Sequence, residues 1–186
     1  MMRVISGELK GKKIQYIKNQ VTRPLKDSVK ENIFNIITHS KEIKVSLKNS
    51  TILDAYSGIG SFGIECLSRG ASEVTFVESD KNTFNILSQN IKSLSFSKKS
   101  ILIQDKIENF LNLIKKKYDI FFFDPPFKDF NFSQNLKIIQ KTKIFKKNHL
   151  VILHREAKFE ENIESYFKLF LTKSYGRSKI FFGSFN

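Results

Sequence analysis

Thr51-Ile52-Leu53-Asp54-Ala55-Tyr56-Ser57-Gly58-Ile59-Gly60-Ser61-Phe62-Gly63 is the stretch that decides the fold. A short β-prone run ends in an acid, a glycine turn follows, and an apolar helix from Phe62 to Arg69 is stopped by Gly70. Strand, glycine turn and helix together open a βαβ unit. The alternation continues downstream. Strands are expected at Thr51 to Ala55, Glu73 to Glu78, Ser100 to Gln104 and Tyr118 to Phe123. Helices at Phe62 to Arg69, Lys81 to Leu94 and Ile107 to Lys115 separate them, with Phe84, Leu87, Ile91 and Leu94 recurring on one face. A further helix is expected over about Ser133 to Gln140, then a strand at Leu150 to Leu153. Phe167 to Lys173, a turn at Gly176, and Lys179 to Phe182 read as a closing β-hairpin. The pattern predicts an α/β fold: a doubly wound, mostly parallel sheet ending in an antiparallel hairpin.

Upstream, Arg3 to Ile17 reads as a basic β-hairpin turning through Gly7 to Gly11. Asp27 then opens a helix with Val29, Ile33, Ile36 and Ile37 on one face, and Lys41 to Ser50 form a polar connector. With no repeat and no Pro/Gly/Ser linker, residues 1–186 are expected to form a single domain, a basic extension (1–45) preceding the core (46–186).

Composition narrows the class. Hydrophobic residues make up 40% and charged residues 27%, the balance of an ordinary globular chain. No apolar run approaches the roughly 18 residues of a membrane span, and the amino terminus lacks an apolar signal core. Cys66 stands alone, so an intrachain disulfide is excluded, which suits a reducing compartment. His39, His149 and His154 share no ligand spacing with it, so no metal site is expected. A cytoplasmic protein is the expectation. The formal net charge of +14 points to a polyanionic partner. However, only five of the 32 cations are arginine, and lysine gathers on surfaces in AT-rich coding sequence without a function. Charge alone leaves both accounts open.

Ligands of such sheets lie beyond the carboxyl ends of the strands. Here each of the four central strands ends at an acid: Asp54, Glu78, Asp105 and Asp124. Any one could be a helix cap. Four together, in so basic a chain, make a local negative pocket suited to a cationic ligand that carries hydroxyls and an amine. Gly58-x-Gly60-x-x-Gly63 with Glu78 formally fits a dinucleotide fingerprint. Asp54 would repel a pyrophosphate, though, and a three-residue step precedes the first glycine. S-adenosylmethionine, with its sulfonium and α-amino group, suits the acid better. Glu78 would grip the ribose hydroxyls and Asp105 the adenine amine, and Tyr56, Gly58, Gly60 and Ser79 complete the candidate cofactor set with Asp54 and Asp124.

Asp124-Pro125-Pro126-Phe127 follows the apolar strand directly. Prolines remove backbone donors and fix φ, so the neighbouring carbonyls are expected to stand free as acceptors. The Asp124 carboxylate adds an acceptor and Phe127 a flat stacking face. Such a set holds a planar ring bearing an NH₂ and aims its lone pair at a methyl donor. Guanine N2 and adenine N6 both qualify. These four residues are the candidate catalytic set.

With these motifs the chain resembles the bacterial 16S ribosomal RNA guanine-N2 methyltransferases of the RsmD type. The resemblance runs through Met2-Arg3-Val4-Ile5-Ser6-Gly7, Gly11-Lys12-Lys13, Thr22-Arg23-Pro24, Asp27-Ser28-Val29-Lys30-Glu31 and Phe34-Asn35-Ile36. It continues through Leu53 to Gly63, Glu65, Leu67-Ser68-Arg69-Gly70-Ala71, the Asp-Pro-Pro-Phe motif, Tyr175-Gly176 and Lys179-Ile180. Departures are Ser28 for a usual arginine, Ala55-Tyr56 for a leucine-phenylalanine pair, Ile59 for Ser or Thr, and His154 where glutamate is common. The resemblance implies a class I methyltransferase sheet that uses S-adenosylmethionine. Its implied substrate is a guanine N2 of 16S ribosomal RNA, in a small-subunit assembly particle, and the protein is expected to act as a monomer. Arg3, Lys10, Lys12, Lys13, Arg23 and Lys26 are the candidate phosphate contacts. Competing readings are a DNA or RNA adenine-N6 methyltransferase, a nicotinamide-dependent oxidoreductase and a non-catalytic RNA-binding module.

Overall fold

The computed structural model describes residues 2–16, 25–129, 131–160 and 162–186. Its elements run β1 (Met2–Arg3), β2 (Lys13–Ile14), α1 (Asp27–His39), β3 (Thr51–Asp54), α2 (Ser61–Ser68), β4 (Glu73–Val77) and α3 (Lys81–Ser93). They continue with β5 (Ser100–Ile103), α4 (Ile107–Leu113), β6 (Tyr118–Phe123), α5 (Phe132–Thr142), β7 (Phe145–Glu156), β8 (Lys168–Tyr175) and β9 (Ser178–Ser184). Seven strands form one sheet in the order β5-β4-β3-β6-β7-β9-β8. Pairs from β5 to β7 are parallel, and β9 joins β7 and β8 antiparallel. This is the doubly wound sheet with a terminal hairpin that the alternation predicts.

Burial on both faces explains why the central strands read as unbroken apolar runs. Ile52, Val74, Phe76, Ile120, Phe122 and Ile152 face a core shared with α1, α2 and α3. Leu53, Val77, Phe121, Phe123, Val151 and Leu153 face a second core shared with α4 and α5. Phe62 of α2 stacks between Phe34 of α1, 5.2 Å away, and Phe122 of β6, 3.9 Å away. A Cβ at Gly63 would come within 2.3 Å of the Phe76 ring, so only glycine lets α2 lie this close to β4.

Three elements depart from expectation. Among the described residues the amino-terminal hairpin has ladder pairs at Met2–Ile14 and Arg3–Lys13. Val4 extends the pairing toward the turn, its N–H donating to Lys12 O at 2.9 Å and its carbonyl accepting from Gly11 N–H at 2.8 Å. Between these pairs the chain also bonds outward: Ile5 and Ser6 N–H donate to Glu65 of α2, and Leu9 N–H donates to Ser68 Oγ. Ile17 and Thr22-Arg23-Pro24 lie outside the described residues. On α1, Ile36 is half-buried, whereas Lys30 is fully buried. β7 begins at Phe145, well before Leu150, because Tyr118 pairs with Phe145 ahead of an irregularity in the ladder.

Candidate active site

β4 and β5 step away from β3 on one side, and β6 and β7 on the other. The connections leaving β3 and β6 therefore diverge, which opens a crevice at their carboxyl ends. Asp54 ends β3, Glu78 follows β4, and Asp124 follows β6. Asp54 is 1% exposed. Its Oδ2 accepts from Gly63 N–H at 3.0 Å, while Oδ1 is buried without a hydrogen-bond partner. Burial, reinforced by the Asp124 and Glu78 carboxylates, pushes the Asp54 carboxyl up to about 8. A cation placed among these acids would offset that repulsion and satisfy the orphaned oxygen.

Glu78 braces the loop as well as facing it. Its Oε2 accepts from Gly58 N–H at 2.9 Å and its Oε1 from Asp80 N–H at 2.7 Å, and burial raises its carboxyl above the ordinary range. Gly58 and Gly60 both have positive φ, at 54° and 88°, and nothing lies within 4 Å of a Cβ built on Gly58. The turn is thus open on the side where a ligand would approach. Ser79 is exposed beside Glu78.

Asp105 and Tyr56 sit differently. Asp105 is exposed, and its Oδ1 accepts from Lys106 N–H and Asn109 Nδ2 at 2.7 and 2.8 Å. It serves the start of α4 locally. The Tyr56 hydroxyl accepts from Asn135 Nδ2 of α5 at 3.0 Å, and burial raises its ionisation well above the usual value. The Tyr56 side chain is thus committed to α5.

The Asp-Pro-Pro-Phe turn corrects one expectation. Its carbonyls do not all stand free, because Arg155 of β7, 2% exposed, reaches under them. Arg155 donates to the carbonyls of Pro125 (3.3 Å), Pro126 (3.0 Å), Phe127 (2.9 Å) and Asp129 (3.4 Å). Pro126 O also accepts from Asp129 N–H at 2.8 Å. The guanidinium lies 4.5 and 4.9 Å from the Phe132 and Phe159 rings, which meet each other edge to face at 5.8 Å. Asp124 Oδ1 lies 2.8 Å from His154 Nδ1, whereas Oδ2 has no hydrogen bond among the described residues. Phe127 is half-buried and meets His154 edge-on at 5.8 Å. Asp124 Oδ2 and one lone pair of Pro125 O are among the acceptors left for a target amine.

Sequence reasoning missed Arg155 as a site residue and noted His154 only as a departure. A polar His-Arg-Glu run closing an apolar strand was the available signal. It also missed Lys30 and Asn90, which join the amino-terminal hairpin to the glycine loop. Lys30 Nζ donates to Arg3 O and Ser61 Oγ at 3.1 and 3.3 Å. The Asn90 amide pairs with both Gln15 N–H and C=O and also donates to Ile59 O at 3.1 Å. Arg3, Lys10, Lys12, Lys13 and Lys26 are exposed, and Arg23 lies outside the described residues. No cluster of three or more potential metal ligands occurs among the described residues. No helix of theirs is long and apolar enough to cross a membrane.

Sheet order and strand-end acids together define a class I methyltransferase fold. The solved structure named "Putative methyltransferase yhhF from Escherichia coli" shares it, with a TM-score of 0.82 at 22% identity over 99% of this chain and 98% of that one. The family model described as Conserved hypothetical protein 95 matches residues 2–184. The chain belongs to this family, which its similarity to ribosomal RNA small subunit methyltransferase D proteins also shows. That of Buchnera aphidicola (from Acyrthosiphon pisum) is 34% identical over 155 residues, covering 83% of this chain and 78% of the relative. Its namesake in Haemophilus influenzae is 33% identical over 159 residues, covering 83% and 79%.

Proposed function

We propose that this protein transfers a methyl group from S-adenosylmethionine to the exocyclic N2 amine of a guanine in 16S ribosomal RNA. The observation that carries the reading is the Asp124-Pro125-Pro126-Phe127 turn beside the acid-lined end of β3, in a member of this family. When bound, S-adenosylmethionine supplies a methyl group on a positively charged sulfur. Asp54 and Glu78 would hold its ammonium and ribose hydroxyls, Gly58 and Gly60 would admit it, and Asp105 keeps lone pairs for its adenine amine.

On the acceptor side, Asp124 Oδ2 takes a hydrogen bond from the amine, and Phe127 stacks on the base. The nitrogen lone pair forms the N–C bond as the S–C bond breaks, and that electron pair stays on sulfur. Only then does the positively charged nitrogen become acidic. Its surplus proton passes to Asp124 Oδ2 and on to water, to which this side chain is 22% exposed. Asp124 thus orients the amine and stabilises charge, and it need not be a strong base.

Glu78→Ala should weaken S-adenosylmethionine binding by about 1.5–3 kcal/mol, since it removes a charged acceptor and the brace on Gly58. Titration calorimetry checks this, and unchanged affinity would remove Glu78 from the site. Neutralising Arg3, Lys10, Lys12, Lys13 and Lys26 together should lower RNA affinity. It should also flatten the log affinity–log salt slope by roughly one unit per lost phosphate contact. An unaltered slope would mean that these cations are mere surface composition.

The family resemblance further supports an assembly particle of the small subunit as substrate and a monomeric, cytoplasmic enzyme. The decisive experiment is nucleoside mass spectrometry of ribosomal RNA from cells lacking the protein. One N2-methylguanosine should disappear from 16S RNA. Loss of an N6-methyladenosine would transfer the reading to adenine, and unchanged RNA would refute both.

A further inference from the structure

His154 sits on β7 opposite Ile180 of β9 and is only 7% exposed. The residues before it, Leu150 to Leu153, are apolar and buried, so packing alone would favour another apolar side chain here. The imidazole instead carries two nitrogens into the interior. Nδ1 meets Asp124 Oδ1 at 2.8 Å, and Nε2 is buried with no partner among the described residues. A carboxylate can only accept, so Nδ1 must carry the hydrogen of this bond. Leaving Nε2 unpaired is a cost that an apolar residue of similar size would avoid. Something other than packing must account for the ring.

Alternation along β7 puts His154 and Arg155 on opposite faces of the sheet. Arg155 holds the carbonyls of the turn from one face, and His154 holds the Asp124 carboxylate from the other. Without the Nδ1 contact, the carboxylate could turn about its terminal bond and offer either oxygen in any direction. With Oδ1 held there, the plane of the carboxylate is fixed and Oδ2 keeps both its lone pairs for the amine. The same ring stands edge-on to Phe127, at 5.8 Å and 80°, so the acceptor and the stacking face rest on one side chain.

We propose that His154 is a positioning residue for methyl transfer: its Nδ1–H fixes Asp124 Oδ1 so that Oδ2 meets the target amine. The proposal rests on the methyl-transfer reading, so one test must be independent of turnover. Nitrogen-15 NMR of the full chain labelled at histidine, with His154 assigned through the His154→Asn variant, should find Nδ1 protonated. That signature should vanish in Asp124→Ala. A bare Nδ1 in the parent protein would overturn the proposal whatever the substrate is.

The second readout is single-turnover methylation of small-subunit ribosomal particles. His154→Leu should slow transfer about 10- to 100-fold, the scale of a misplaced catalytic group, with S-adenosylmethionine affinity within about twofold of the parent. In His154→Asn the amide nitrogen takes the place of Nδ1, and most of the rate should return. A Leu variant as fast as the parent, or an Asn variant as slow as Leu, would overturn the proposal. A parent that methylates no ribosomal RNA would overturn the substrate reading instead, and the NMR result would still decide the bond.

Discussion

Asp124→Ala should keep S-adenosylmethionine binding yet transfer methyl groups about 10²–10³-fold more slowly, the usual cost of deleting one preorganised transition-state contact. Asp124→Asn should retain measurable activity. Its single carbonyl oxygen can face the amine if its NH₂ turns toward His154. The imidazole can accept that bond by moving its hydrogen to Nε2, where no existing partner competes. Single-turnover assays on ribosomal particles distinguish the two. Equal inactivity of Asn and Ala would mean that a carboxylate must take the proton during transfer. Full activity of both would remove the turn from the catalytic site.

The largest effect on stability should come from Glu65→Ala. Glu65 is fully buried on α2, where Oε2 accepts from Ile5 N–H at 2.7 Å and Oε1 from Ser6 N–H at 2.9 Å. Arg69 Nε is 2.8 Å away, and Lys30 Nζ, itself fully buried, is at 4.0 Å. Burial lowers the Lys30 ammonium below its ordinary value, and the Glu65 and Asp27 charges oppose that shift. Truncation would leave two backbone donors and Arg69 Nε without their acceptor and Lys30 with Asp27, 3.5 Å away, as its remaining counter-charge. The expected loss is about 3–5 kcal/mol of unfolding free energy, measured by urea denaturation. Glu65→Gln, which keeps an acceptor, should lose less. A Glu65→Ala variant within about 1 kcal/mol of the parent would show that this attachment contributes little.

Sequence was most informative where both faces of an element are buried. Tyr118 to Phe123 and the run ending at Asp54 are apolar without interruption, and their type and limits follow. The start of β7 stayed hidden because Lys146, Lys147 and Asn148 are exposed. The hairpin's attachment to α2 was not legible, because period and turn residues cannot tell that Glu65 and Ser68, about sixty positions on, take backbone donors from it. In the site, the strand-end acids and the Asp-Pro-Pro-Phe turn could be picked out as candidates by residue type. His154 and Arg155 do not. Their roles arise only when β7 pairs with β6 and brings them beside residues some 30 positions earlier.

Lys30 and Asn90 each hold hairpin backbone with one atom or group and the glycine loop with the same one. Met2, Val4 and Ile14 share a core with Ile52 and Val74. The basic edge is therefore not an accessory that can be traded between enzymes of this fold. Moving residues 2–16 into an enzyme without counterparts of Glu65, Ser68 and Asn90 would leave the backbone groups of Ile5, Ser6, Leu9 and Gln15 without the partners they have here. A transfer of this hairpin has to carry parts of α1, α2 and α3 along with it. Substitution of the exposed Lys10, Lys12 and Lys13 leaves that attachment untouched.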